Sequence, residues 1–312
     1  MLTRRHIRVK VMQVIYALAL SKEGSLESQQ KFLNQSIAQT FTLYLLMLAL
    51  FRELHHLAAE HVKKGSRKYL KTKGEITPLR LSENQVLKQI SENAKLGEAL
   101  KKRKLRQWYL NEEYVKILLK EILQSDLYRD YSKEPSDYRE DREFLAAIFR
   151  EIIAPNEKVY EFLEDEGITW VDDLPLVNTY LLKQLRKIKP ESSETYFLPS
   201  LLKNREDMDF AIELLKKTLL KGEELEAEIE GKTPNWDKER IAEMDAILLK
   251  MAIAELLYFP SIPERVTINE YLEIAKEYST PKSSIVINGV LDKLTRDYRA
   301  SGRLKKTGRG LL

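Results

Sequence analysis

The sequence predicts an all-α protein, and three observations lead there. Apolar residues recur at helical spacing in nearly every ordered segment. Helix-start residues precede many of these runs, while strand signals are nearly absent. Glycine and proline number only 11 and 10 in 312 residues, and the chain is 43% apolar and 32% charged, the profile of a charged helical globule. This length allows one large core or two ordinary ones. The absence of cysteine excludes disulfides, cysteine zinc sites and thiol nucleophiles, and suits a reducing compartment.

The first helix spans residues 4–20. Ile7, Val11, Val14, Ile15 and Leu18 make one apolar face. Arg4, Arg5, Arg8 and Lys10 crowd its first turns, where the helix dipole prefers acids, and no acid lies nearby in sequence. Arg4 and Arg8 stand one turn apart at the edge of the apolar face, a placement that suits bidentate contact with phosphate. A solvated basic terminus is the alternative for this stretch taken alone.

A second helix is expected from near Ser25 to about His61. Residues 82–107 read as one polar helix and 111–130 as another, with acids in its first turn. Two later segments match at a spacing of 66. Asp141, Phe144, Glu157, Trp170 and Leu182 recur as Asp207, Phe210, Glu223, Trp236 and Leu248, a candidate degenerate repeat over 141–188 and its copy. Residues 189–200, rich in Pro and Ser, mark a boundary between the copies.

The C-terminal third is expected to hold three helices. Pro234, Asn235, Trp236 and Asp237 open the first, with Ile241, Met244, Leu248, Met251 and Glu255 at helical spacing. Thr267 and Glu270 suggest a capping box for the second, with Ile268, Leu272, Ala275 and Tyr278 inward. In the third, Ile287, Val290, Leu291 and Leu294 face inward, and Gly289 in mid-helix suggests close approach of another helix.

Charge is patterned. Net charge is +4, yet 62–73 holds six basic residues and no acid, 101–106 holds five basic residues, and 296–309 has six against Asp297. Residues 134–173 hold 13 acids against 4 bases. This segregation suggests one polyanion-facing side, although any single cluster alone reads as a solvated helix face. His55, His56 and His61 lack a carboxylate pattern to complete a metal site, so neither metal nor cofactor is expected. The longest apolar run, 41–51, has 11 residues against the ~20 that span a bilayer. The basic start lacks a small-residue cleavage site, so a cytoplasmic, membrane-free protein is expected.

The C-terminal residues IPERVTINEYLEIAKEY and VINGVLDKL resemble the signature of the NusB transcription antitermination factors. AILLKMAIAELLY (246–258) is similar to the helix before that signature, and RRHIRVKVMQVIYAL (4–18) to the family's arginine-rich first helix. The resemblance covers about 1–20 and 207–296. It implies a two-subdomain helical bundle with an added helical insertion, divided as 1–61, 62–200 and 201–312. It further implies binding of single-stranded boxA-type RNA together with the small-subunit ribosomal protein NusE. That complex would act on elongating RNA polymerase, notably in ribosomal RNA transcription.

By this resemblance, RNA contacts fall on Arg4, Arg5, His6, Arg8, Lys10, Gln13, Lys282 and Ser283. The ribosomal-protein contacts fall on Tyr16 and Glu255. His6 stands where the family often has Arg, Val286 replaces a usual Phe, and 62–200 has no counterpart in compact members. An enzyme is the rival class, but the chain has no G-x-G-x-x-G, Walker loop or H-E-x-x-H. No catalytic residue is therefore assigned. The remaining alternative is a helical interaction scaffold without RNA binding.

Overall fold

A computed structural model of the chain describes residues 1–65, 77–230 and 242–311. Among these residues every regular element is helical. The chain divides into two compact units: residues 1–37 with 201–312, and residues 38–200. Most of the basic segment 62–73 lies outside the described residues, as do Pro234 to Ile241 with Trp236 of the candidate repeat.

The first unit contains α1 (Arg4–Ser21) and the opening of α2 (Leu26–Gly65). It ends with the helices α12 (Arg205–Leu220), α13 (Gly222–Ile229), α14 (Glu243–Tyr258), α15 (Glu264–Tyr278) and α16 (Ser283–Ala300). Its centre is α14, which packs against α1, α12, α13, α15 and α16. The residues explain the position. Ile247, Leu248, Leu249, Met251, Ala252, Ile253, Ala254 and Leu256 are all buried, and a helix apolar on every side has no face to give to water. Each fully buried Leu or Ile contributes about 1.5–3 kcal/mol.

Three expectations for the C-terminal helices are corrected. Thr267 and Glu270 form no capping box, because α15 begins at Glu264, just past Pro263. Thr267 is buried within the helix, and the inward face is Thr267, Tyr271, Ile274 and Ala275 rather than one through Ile268 and Leu272. On α16 the inward residues Ile287, Val290, Leu291 and Leu294 are buried. Gly289, however, faces open space: a Cβ there would meet nothing within 4 Å, so no helix approaches it.

The second unit holds the rest of α2, then α3 (Leu79–Glu83), α4 (Gln85–Glu92), α5 (Ala94–Lys102), α6 (Gln107–Leu110) and α7 (Glu112–Gln124). It continues with α8 (Asp126–Tyr131), α9 (Tyr138–Ile148), which runs into a π turn at Phe149–Ile153, then α10 (Glu157–Glu166) and α11 (Leu174–Lys187). By length and composition α2 could cross a membrane, but residues 43–48 along it are buried in this unit, as in a core helix. Helices expected to be continuous are broken where a side chain caps a new start. Asn84 accepts from the Leu87 amide, Asn93 from Leu96, and Ser125 from Tyr128. These caps divide 82–107 and 111–130 into shorter helices.

Candidate nucleic-acid interface

The interface expected from the sequence centres on the start of α1. Thr3 adopts an extended conformation as N-cap. Its amide donates to His6 Nδ1 at 3.1 Å, and its hydroxyl lies 2.8 Å from the same nitrogen. Nδ1 is therefore the acceptor and Nε2 carries the proton of the neutral ring. Burial, and next the charge of Arg5, hold the His6 imidazole below its ordinary pKa.

No acid occupies the first turn of α1, yet the arginines are not uncompensated as the local sequence suggests. Three other helices supply the acids. Arg4 Nε donates to Asp207 Oδ1 of α12 at 3.1 Å. Arg5 Nε and Nη2 make a fork to the two oxygens of Glu270 on α15, at 2.9 and 3.0 Å. Arg8 Nε and Nη2 make a second fork to Glu255 on α14, at 2.8 and 2.7 Å. The Arg4 and Arg8 guanidinium carbons each lie 5.1 Å from the centroid of Phe210, so one ring serves two cations.

These pairs differ in kind. The Arg5 side chain keeps 43% of its exposure, whereas Arg8 keeps 2% and Glu255 none. Glu255 also accepts from the Thr267 hydroxyl at 2.8 Å and from the Tyr271 hydroxyl at 3.3 Å. A buried ion pair is tolerable only when its remaining lone pairs are satisfied, and here four hydrogen bonds converge on one carboxylate. Burial lowers the Arg8 guanidinium, but Glu255 more than offsets this and leaves it above its ordinary pKa. The hydrogen bond from Arg5 holds the Glu270 carboxyl below the usual range.

Arg4, Arg5, His6 and Arg8 border a cleft of about 700 Å³, closed on the other side by Ser261, Ile262, Pro263, Val266 and Glu270. Arg8 forms its floor from within the core rather than standing at the surface. Lys10 is buried, and Gln13 and Tyr16 are half-buried further along α1. Lys282 is exposed at the start of α16. Ser283 beside it is buried, donating to Asp245 Oδ2 at 2.7 Å. Neither borders the cleft. Among the described residues no group of His, Asp and Glu could hold a metal ion.

The residues that organise the arginines carry other signals in the sequence. Asp207 and Phe210 fit the candidate repeat by spacing, and Thr267 and Glu270 fit a capping box. The available signal was Glu255 itself: a charge at a core register of an apolar helix requires a buried cation.

Residues 176–296 match the family model described as the NusB family. The chain is 48% identical over 104 residues to the transcription antitermination protein NusB of Salinibacter ruber, a stretch covering 33% of this chain and 65% of that protein. It is 39% identical over 104 residues to the NusB protein of Chloroherpeton thalassium, covering 33% of this chain and 49% of that protein. With the NusB protein of Geotalea daltonii it shares 38% identity over 119 residues, 38% of this chain and 79% of that protein. The chain belongs to the NusB family. It spans about half to two thirds of the length of the first two relatives. The family match begins at residue 176, ahead of the signature helices, and so takes in nearly all of α11. No solved structure matches the chain.

Proposed function

We propose that this protein acts in transcription antitermination by holding single-stranded boxA-like RNA in the cleft at the start of α1. In this reading it works together with the ribosomal protein NusE at the elongating RNA polymerase, chiefly on ribosomal RNA operons. Family membership and the name shared by its relatives support the antitermination role. The observation that carries the RNA contact is the cleft: exposed Arg5 with half-buried Arg4 and His6 at a helix start, beside an apolar wall.

In this reading the roles divide by exposure. Arg4, Arg5 and His6 make the direct contacts, with Gln13 along the same helix and Lys282 as a more distant cation. The exposed Arg5–Glu270 pair is worth at most about 1 kcal/mol, so phosphate displaces the carboxylate readily. Arg8 cannot exchange in this way, and it acts as a positioning residue, as does Ser283. Lys10, also buried, is not a direct contact. Tyr16 carries the contact to the ribosomal protein. Glu255, buried, influences that surface only by holding Arg8, Thr267 and Tyr271 in place.

Titrating labelled boxA-like and scrambled RNA into the wild type and an Arg4→Ala/Arg5→Ala variant tests this. Two lost phosphate contacts flatten the slope of log K against log salt by about 1.4. An unchanged slope refutes the cleft as the RNA site. A second reading, a helical scaffold that binds only proteins, is favoured by the carboxylate partner that each of the three arginines has found. Absence of any RNA binding by the wild type, with or without the ribosomal protein, selects it.

A further inference from the structure

Several basic residues in the described helices are matched by acids three or four positions along the chain. Lys95 pairs with Glu98, Lys116 with Glu112, Arg139 with Glu143 and Lys158 with Glu161. The turn from α5 to α6, in the second unit, instead gathers adjacent cations without acids. Lys101, Lys102, Lys104 and Arg106 are all exposed, and none has a carboxylate partner. Arg103 is held by the Thr42 hydroxyl at 3.0 Å and the face of Phe41 at 5.2 Å, again without an acid. Five cations thus share one short turn with their charge uncompensated.

The turn is also well fixed. Lys104 takes the left-handed conformation with φ 56°, where glycine is the usual choice. Its amide donates to the Lys101 carbonyl and that of Leu105 to the Leu100 carbonyl, each at 3.0 Å, closing the helix end. On α6, Trp108 is buried and donates its indole N–H to the Leu46 carbonyl at 2.8 Å. That anchor leaves the next two residues facing outward: Tyr109 is 62% exposed and Leu110 70%. The Arg106 guanidinium lies 5.5 Å from the Tyr109 ring centroid.

We propose that this turn binds single-stranded RNA, its lysines contacting phosphates while Tyr109, backed by Arg106, stacks on a base. The inference rests on the reading of the chain as an RNA-binding protein and adds a contact outside the α1 cleft. Uncompensated cations beside an exposed aromatic ring are what a single strand needs, because phosphate supplies affinity and every base offers a π-face. An acidic peptide would use the cations but give Tyr109 no base to stack on. A duplex would offer phosphates but keep its bases stacked inside.

The test uses the full chain and a long unstructured RNA. Lys101→Ala/Lys102→Ala/Lys104→Gly flattens the log K against log salt slope by about 2, from three contacts. Glycine at 104 suits the left-handed backbone, so the fold is unharmed. Tyr109→Ala weakens binding about five- to 150-fold, and Tyr109→Phe restores it. Binding of heparin, a polyanion without bases, is unmoved by Tyr109→Ala. Wild-type affinity and slope in both variants overturn the proposal. So does an equal loss of heparin binding in Tyr109→Ala, or effective competition by a polyglutamate peptide, which would assign the turn to an acidic protein. Affinity that depends on Arg4 and Arg5 but not on this turn removes the second contact alone. A wild-type chain that binds no RNA removes both readings.

Discussion

Replacing Arg8 with Ala should be the most damaging single change at the start of α1, although the local sequence implies the opposite. A cation near a helix start opposes the helix dipole, and on that ground its loss should cost nothing. In the fold, Arg8→Ala leaves the Glu255 carboxylate fully buried with only the Thr267 and Tyr271 hydroxyls for company. Removing one partner of a buried pair costs about 3–5 kcal/mol. At about 2–4 °C per kcal/mol, the melting temperature should fall by roughly 6–20 °C. Arg5→Ala, at a pair open to solvent, should cost at most about 1 kcal/mol. The double variant Arg8→Met/Glu255→Gln discharges the site and keeps an acceptor for Thr267, so it should be more stable than Arg8→Ala by about 2 kcal/mol. Thermal and urea denaturation followed by circular dichroism compares the four proteins. If Arg8→Ala and Arg5→Ala lie within about 1 kcal/mol of each other, the reasoning from the buried pair is refuted.

Other outcomes follow from particular atoms. Gly289→Ala should stabilise α16 by about 0.5–1 kcal/mol, read from the urea midpoint, because its Cβ meets open space and glycine is a poor helix former. Gly167→Ala should destabilise by about 1–3 kcal/mol in the same assay, since its Cβ would sit 2.8 Å from the ring of buried Trp170. The cap of α1 should loosen in acid. The folded-state pKa values of His6 and Glu270 are both lowered, so their contributions are present above the ordinary values of 6.5 and 4.5. They are lost as pH falls through the folded values. Amide protection factors at the start of α1, corrected for the intrinsic rate, should fall as the pH drops below 6.5 in the wild type and less in His6→Gln.

The helical class was legible because apolar spacing is a local property, and the inward face of α16 was legible for the same reason. Helix breaks were harder to read. Asn84, Asn93 and Ser125 look like polar surface residues until the side chain is seen capping a new start. The inward face of α15 is hidden in the sequence because Thr267 and Glu270 fit a capping pattern by spacing alone. Their actual partners, Glu255 for Thr267 and Arg5 for Glu270, lie on other helices. The cleft residues at the start of α1 could be named from sequence, but their exposure could not, since it depends on which arginine meets an acid inside the core.

That dependence bears on how basic clusters should be read. Counting cations ranks the start of α1, the turn at 101–106 and the segment 296–309 as comparable candidates for a polyanion. Pairing ranks them differently. Arg4, Arg5 and Arg8 each hold a carboxylate, and in the tail Arg299 pairs with Glu264 and Arg303 with Glu228. At 101–106 no acid is engaged. A phosphate arriving at the α1 cleft must displace Glu270 from Arg5, whereas one arriving at the α5–α6 turn displaces only water and counterions. The α1 cleft can still be the more selective site, because exchanging one fork for another demands matching geometry. The α5–α6 turn should then supply sequence-independent affinity with the steeper salt dependence. On this argument, raising the salt should strip RNA from the turn first and leave the α1 cleft as the residual site.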